Sequence, residues 1–355
     1  MTRTYLDWNA TTPLRPEARA AMVAAMDRFG NPSSVHGEGR AAKGLVERAR
    51  AQVAQAVGCQ PSEVIFTSGA SEAASVLGRM SADHDVWVDP TAHDCLWAHR
   101  RLGVASGVGH ILALGHANNE TGIITEPPER RPEGWAFGAR HARWLLLDIV
   151  QTLGKVPFSF AWSGADMAVV SAHKFGGPKG VGALILRDGM EVPPLAPGGG
   201  QEMGRRAGTE NVIGIAGMGA AAEAAMRDLA DGVWARVGEL RNTLNQALSA
   251  PGFAIISVGQ DGPRLPNTLC LIAPGWTGET QVMAMDLAGF AISAGSACSS
   301  GKVRSSRVLQ AMGYDPAQAG QAIRVSLGPA TREDEVLRFA EAWGRDYRRI
   351  LARAA

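Results

Sequence analysis

WLLLDIVQTLG (residues 144–154) and MAVVSAHKFGGPKGVGALIL (residues 167–186) decide the fold. Between them they hold three short apolar runs, each closed by a polar residue or a glycine turn. The runs are continuous rather than alternating, which fits strands covered on both faces, because a strand with one wet face shows a polar residue at every second position. Two upstream stretches repeat the scheme. VIFTSGASEAASVLGRM (64–80) has a β-branched run, a turn at Ser68 and Gly69 and an Ala-rich helical segment, and VWVDPTAHDCLW (86–97) turns at Asp89 and Pro90. Strands that feed helices in this way predict an α/β domain with a largely parallel sheet and helices on both faces.

Downstream, residues from Val212 to about Ala250 are rich in Ala and Leu with charges at helical spacing, which predicts one or two long helices leading out of the sheet. A second, α+β lobe begins near Pro251 with FAIISVG, NTLCLIAP, a helix in ETQVMAMDLAGF, AIRVSLG and a terminal amphipathic helix from about Thr331. The expected division is a larger domain over residues 13–230 and a smaller one formed by 1–12 and 231–355. EVPPLAPGGGQEMGRRAGTEN (191–211) reads as a loop, and its adjacent arginines with Thr209 suit an anion.

Composition narrows the function. Lys+Arg number 35 against Asp+Glu 34, so no basic surplus exists for nucleic acid, and no apolar stretch approaches the length of a membrane span. A cytoplasmic protein with a small-molecule or protein partner is expected. Cys59, Cys95, Cys270 and Cys298 form no C-x-x-C pair and are expected to be free thiols. Three have ordinary neighbours, whereas Cys298 lies in AGSACSSGKV among residues with almost no side chain.

Two residues end successive strand candidates. Lys174, followed by glycines, can sit buried enough to lose its proton and form a Schiff base, and Asp148 closes WLLLD where an α/β sheet opens onto its ligand crevice. A pyridine cofactor needs such a pair, a carboxylate at the ring nitrogen and an amine at the aldehyde. TSGASE offers a turn and hydroxyls at a helix start for a phosphate. His93 could stack on an aromatic ring or shuttle protons. With Cys95 it looks like a metal pair, but no second cluster accompanies it, so no metal is expected.

At these residues the chain resembles the class V, fold-type I pyridoxal-phosphate enzymes, and within them the NifS/IscS-like cysteine desulfurases. YLDWNATTP, GNPSSVHGEGR, TSGASE, HANNETG, DIVQTLGKVP, SAHKFGGPKGVGAL, GGGQEMGRRAGTEN, GSACSSG and IRVSLG occur in that family's order over nearly the whole chain. The resemblance implies pyridoxal 5'-phosphate as cofactor, with Lys174 as its Schiff-base lysine, Asp148 at the pyridinium nitrogen, Gln151 near the ring hydroxyl and His93 stacked on the ring. Ala70, Ser71, Ser171 and His173 match the phosphate cradle, and Thr209 matches a residue contributed by the other subunit of a homodimer. Asn119 and Arg324 match the holders of the substrate carboxylate, and Cys298 matches the catalytic cysteine that takes sulfur from L-cysteine as a persulfide. His93 is then the candidate to activate the Cys298 thiol. The implied role is sulfur supply for iron–sulfur clusters or thiolated tRNA through an acceptor protein. An aminotransferase, a selenocysteine lyase or a cysteine-sulfinate lyase of the same class is the alternative, and a catalytically quiet scaffold is a more distant one.

Three stretches depart from the family pattern. RRLGVASGVGHILALGH is short where an additional strand and helix are usual, 123–143 is trimmed, and GKVRSS replaces the usual acidic turn after the cysteine. A pared-down larger domain is expected, with docking of the usual scaffold partner in doubt.

Overall fold

The computed structural model describes residues 3–81, 84–103, 109–249, 252–295 and 305–354. They form two compact units, one of Thr12–His116 and Thr125–Ala230, the other of Met1–Thr11, Ala117–Ile124 and Asp231–Ala355. The segment that carries Asn119 therefore groups with the smaller unit.

In the larger unit six strands form one sheet in the order Val64–Thr67, Gly182–Leu186, Met167–Ser171, Trp144–Asp148, His110–Gly115 and Asp85–Val88. Gly182–Leu186 runs antiparallel to both neighbours, and the remaining pairs are parallel. The continuous apolar runs have the predicted cause. Leu145 and Leu147 enter one buried cluster with Val46, Val53, Ile215 and Met218, while Leu146 enters a second cluster with Leu77 and Leu96. Each buried leucine contributes about 2 kcal/mol of transfer free energy.

Helices Gly37–Val57 and Val212–Ala230 cover the first face. Their approach is set by Gly219, where an added Cβ would stand 2.7 Å from the Ala49 Cα. The Gly37–Val57 helix begins where the His36 side chain accepts the Gly39 N–H and stops at Gly58, whose φ of 74° suits a residue without Cβ.

Two elements are described in the short 94–117 stretch. It retains a helical turn, Asp94–Trp97, and the strand His110–Gly115, which sits inside the sheet rather than at its edge. The trimmed 123–143 stretch holds a small antiparallel sheet of Arg130–Arg131, Gly134–Phe137 and Arg140–Ala142. Its Trp135 is buried, and the indole Nε1 donates to Asp166 Oδ2 at 3.0 Å.

The smaller unit has a four-stranded sheet in the order Ile256–Ser257, Thr268–Ile272, Ala322–Ser326 and Ser293–Ala294, with every neighbouring pair antiparallel. Glu333–Ala354 is its terminal helix, and Val336, Phe339, Trp343 and Tyr347 recur along it at three- and four-residue steps as a fully buried stripe. Trp343 Nε1 donates to Gln281 Oε1 at 3.0 Å, which satisfies a buried indole. No described helix is long and apolar enough to cross a membrane.

Candidate active site

In the larger unit the candidates gather at the ends of the parallel strands. Asp148 ends Trp144–Asp148 and is buried, with Oδ1 accepting the Val150 N–H at 2.9 Å. Burial pushes its carboxyl above the ordinary value, and the charges of His93 and Lys174 with the Val150 amide oppose that rise. His93 caps the Asp94–Trp97 turn, and its Nδ1 accepts the Cys95 N–H at 3.1 Å. With Nδ1 accepting, the ring N–H lies at Nε2, so that edge of His93 is a hydrogen-bond donor.

Cys95 joins His93 and Asp148 in a trio whose ligand atoms lie within 4.8 Å of one another. Burial, then Asp148 and Asp94, drive the Cys95 thiol well above its ordinary value.

Lys174 closes the short turn Ala172–Lys174 that follows Met167–Ser171. The carbonyl of His173 accepts both the backbone N–H and the Oγ1 of Thr12 at 3.0 Å, which fixes the turn. His173 itself is pushed down to about 4 by burial, then by the charges of Lys174, Lys179 and Lys155. The site is thus electropositive and holds a neutral imidazole at physiological pH.

Across three adjacent strands the register places Thr67, Gly182 and Ser171 in one row. A Cβ on Gly182 would stand 2.6 Å from the Gly69 Cα, so only glycine lets the strand pass the Gly69–Ala70 turn, and Ser171 Oγ lies 3.9 Å from where a Gly69 Cβ would be. Ala70 and Ser71 open the helix Ala70–Ala74 at that turn. Arg206 pairs with Glu72 at 2.9 Å, so one of the two adjacent loop arginines ties the loop to this helix. Thr209 is exposed on the same loop.

Gln151 is 3% exposed, and its Oε1 accepts from the Lys155 Nζ at 2.5 Å. Sequence reasoning passed over Lys155, although its four-residue spacing from Gln151 in DIVQTLGKVP was the available signal.

In the smaller unit Arg324 is 5% exposed, on Ala322–Ser326. Its Nη2 donates to Asp7 Oδ1 at 2.7 Å and its Nη1 to the carbonyl of Asn119 at 3.0 Å, while the buried Nε finds no partner among the described residues. Asn119 therefore meets Arg324 through its backbone. Asp7 and Asn9, which donates to the same Asn119 carbonyl at 3.2 Å, lie in YLDWNATTP and were not singled out from sequence. Cys298 lies outside the described residues.

The aminotransferase class-V family pattern matches residues 4–90 and 106–339. A cysteine desulfurase of Cereibacter sphaeroides is 39% identical over 375 residues, covering 96% of this chain and 95% of that protein. The cysteine desulfurase IscS of Dictyoglomus turgidum is 35% identical and covers 94% and 91%. Among solved structures, a NifS-like protein from Rickettsia africae ESF-5 superposes with a TM-score of 0.86 at 27% identity, covering 98% of this chain and 99% of that one.

Proposed function

Because the chain belongs to the aminotransferase class-V family, we propose that it is a pyridoxal 5'-phosphate-dependent cysteine desulfurase. It converts L-cysteine and the Cys298 thiol into L-alanine and a Cys298 persulfide, so the sulfur moves and no outside reductant enters this half-reaction. The observation that supports the residue assignment is the buried Asp148 carboxyl at the end of its strand, with Lys174 in the turn that follows the neighbouring parallel strand.

The residues fit the cofactor. A phenolate and a phosphate suit the electropositive surroundings that hold His173 neutral, and a buried carboxyl suits a pyridine nitrogen that must stay protonated. When bound, pyridoxal 5'-phosphate supplies an electron sink for negative charge at the substrate α-carbon. Lys174 would hold the cofactor and move the α-proton with its Nζ, and Gln151 would bond the ring oxygen. Ala70, Ser71, Ser171 and His173 would hold the phosphate.

His93 would stack on the ring and donate from Nε2. Taking a proton from Cys298 would need Nδ1, which the Cys95 amide engages, so the donor role is the better supported one. Arg324 and Asn119 would hold the substrate carboxylate. The chain would work in the cytoplasm as a homodimer, with the exposed Thr209 completing the partner's phosphate site. An acceptor protein would carry the sulfur toward iron–sulfur clusters or tRNA thiolation.

The test is incubation of the purified, cofactor-loaded protein with L-cysteine and a thiol reductant. Equal yields of alanine and sulfide are expected, and a parallel incubation without the reductant should leave one added sulfur on the Cys298 peptide. Transamination with pyruvate or glyoxylate without sulfur release, or full turnover by Cys298→Ala, would overturn the reading, and an active monomer in light scattering would remove the shared site.

A further inference from the structure

We propose that Lys155 is a positioning residue that fixes the side-chain amide of Gln151, leaving Nε2 as the end that bonds an anionic cofactor oxygen; this rests on the cofactor reading above.

The chain builds this contact locally. Gly154, at a φ of 72°, reverses the chain so that Lys155 comes back beside Gln151. A Cβ on Gly154 would stand 2.6 Å from the Ala225 Cβ, so the turn is pressed against the Val212–Ala230 helix and has little room to shift. Lys155 is 2% exposed, an unusual burial for a lysine. Burying an ammonium is costly, and the amide carbonyl of Gln151, at 2.5 Å, repays part of that cost.

The contact also decides which way the amide points. An ammonium has donors only, and an amide has one oxygen acceptor and one donating nitrogen. With Oε1 turned to Lys155, the amide presents N–H groups elsewhere; the flipped amide would set donors against donors. Gln151 acts on an anionic oxygen only in the first orientation.

Lys155 also adds charge. After burial, the charges of Lys174, Lys179 and Lys155 lower the ionisation of His173, while those of His93 and Lys174 oppose the burial of Asp148. One residue beyond Gln151, Thr152 Oγ1 lies 2.9 Å from the Nδ1 of His116, whose own ionisation burial lowers and Glu126 opposes.

The experiment compares wild type, Lys155→Met and Lys155→Gln, each confirmed folded by circular dichroism, in two readouts. The first is the pH titration of the visible absorbance of the loaded protein. Removing a neighbouring positive charge should raise the midpoint by about one unit in both variants. Lys155→Gln, which keeps a donor for Oε1, should retain pyridoxal phosphate about tenfold better than Lys155→Met. The second is NMR titration of His173 without cofactor, where both variants should raise the midpoint. Unmoved midpoints in both titrations, or equal retention by the two variants, would overturn the proposal. If wild type takes up no pyridoxal phosphate the cofactor reading fails, and the His173 titration still decides whether Lys155 supplies the field.

Discussion

Asp7 holds Arg324 through a 2.7 Å contact from Nη2 to Oδ1, while its second oxygen accepts from Ser293 Oγ at 2.8 Å. Ser293 is the register partner of Arg324 across the sheet, so one carboxylate braces both. The arginine side chain is 6% exposed, and removing its counter-charge leaves a buried cation. Asp7→Ala should therefore cost about 3 kcal/mol of stability. If Arg324 binds the substrate carboxylate, the loss should also raise KM for L-cysteine more than it lowers kcat. Urea unfolding and steady-state kinetics check the two parts, and an unchanged unfolding midpoint would refute the first.

A second buried pair braces the loop that leads to Thr209. Arg50 bonds both oxygens of Glu202 at 2.8 and 2.9 Å, and Glu202 Oε2 also accepts the Phe66 N–H at 2.8 Å. Glu202 adopts a φ of 47°, a conformation that costs a residue with a Cβ and that these three bonds hold in place. Glu202→Ala should destabilise by about 3 kcal/mol, because the buried Arg50 loses its two-oxygen partner and keeps only Glu47 and the Val64 carbonyl. Changing both residues to apolar ones of similar size should recover part of that loss, and a double-mutant cycle in urea measures the coupling.

The strands of the large sheet were readable because Leu145, Leu146 and Leu147 all have apolar partners, on opposite faces. The strand His110–Gly115 was not, since the glycines and serine before it resemble a shortened connection, and its burial depends on parallel neighbours distant in sequence. The three-stranded sheet over 130–142 has strands of two to four residues with charged ends, too short for any period to register. The placement of Lys174 and Asp148 at the ends of neighbouring strands was legible because both stand just where an apolar run stops. Lys155 was hidden by the rule that lysines stay at the surface. The donor edge of His93 depends on a Cys95 amide that only the folded turn brings to Nδ1.

The depressed ionisation of His173 fixes the sign of an acid sensitivity. Its folded value is about 4 against an ordinary value near 6.5, so between these limits the unfolded chain binds more protons than the folded one. Stability should then rise with pH across that window and fall as pH drops from 6.5 toward 4. Asp148, raised by burial, acts oppositely: its stabilising share is present at low pH and fades as pH climbs through its folded value. His116, lowered by burial, reinforces His173. His173→Gln should flatten the melting temperature between pH 4 and 6.5, as scanning calorimetry across that range would show; an unchanged slope would mean that neither burial nor the lysines lower His173.

The thiols differ enough in environment to give one more prediction. Burial pushes Cys59 and Cys270 up to about 12, and it drives Cys95 higher still with help from Asp148 and Asp94. At neutral pH each would be thiolate in a negligible fraction, and the thiolate is the form that attacks an alkylating agent. Brief treatment of the native protein with iodoacetamide should therefore leave these three unmodified and label Cys298 alone. Prior exposure of the cofactor-loaded protein to L-cysteine should place sulfur on that same residue, so that the alkylated Cys298 peptide carries one extra sulfur atom. Peptide mass spectrometry reads both results at once. Labelling of Cys95 at a rate comparable to Cys298 would show that the pocket beside Asp148 is more open and less hostile to charge than its burial implies, and the protonated state assigned to that thiol would be wrong.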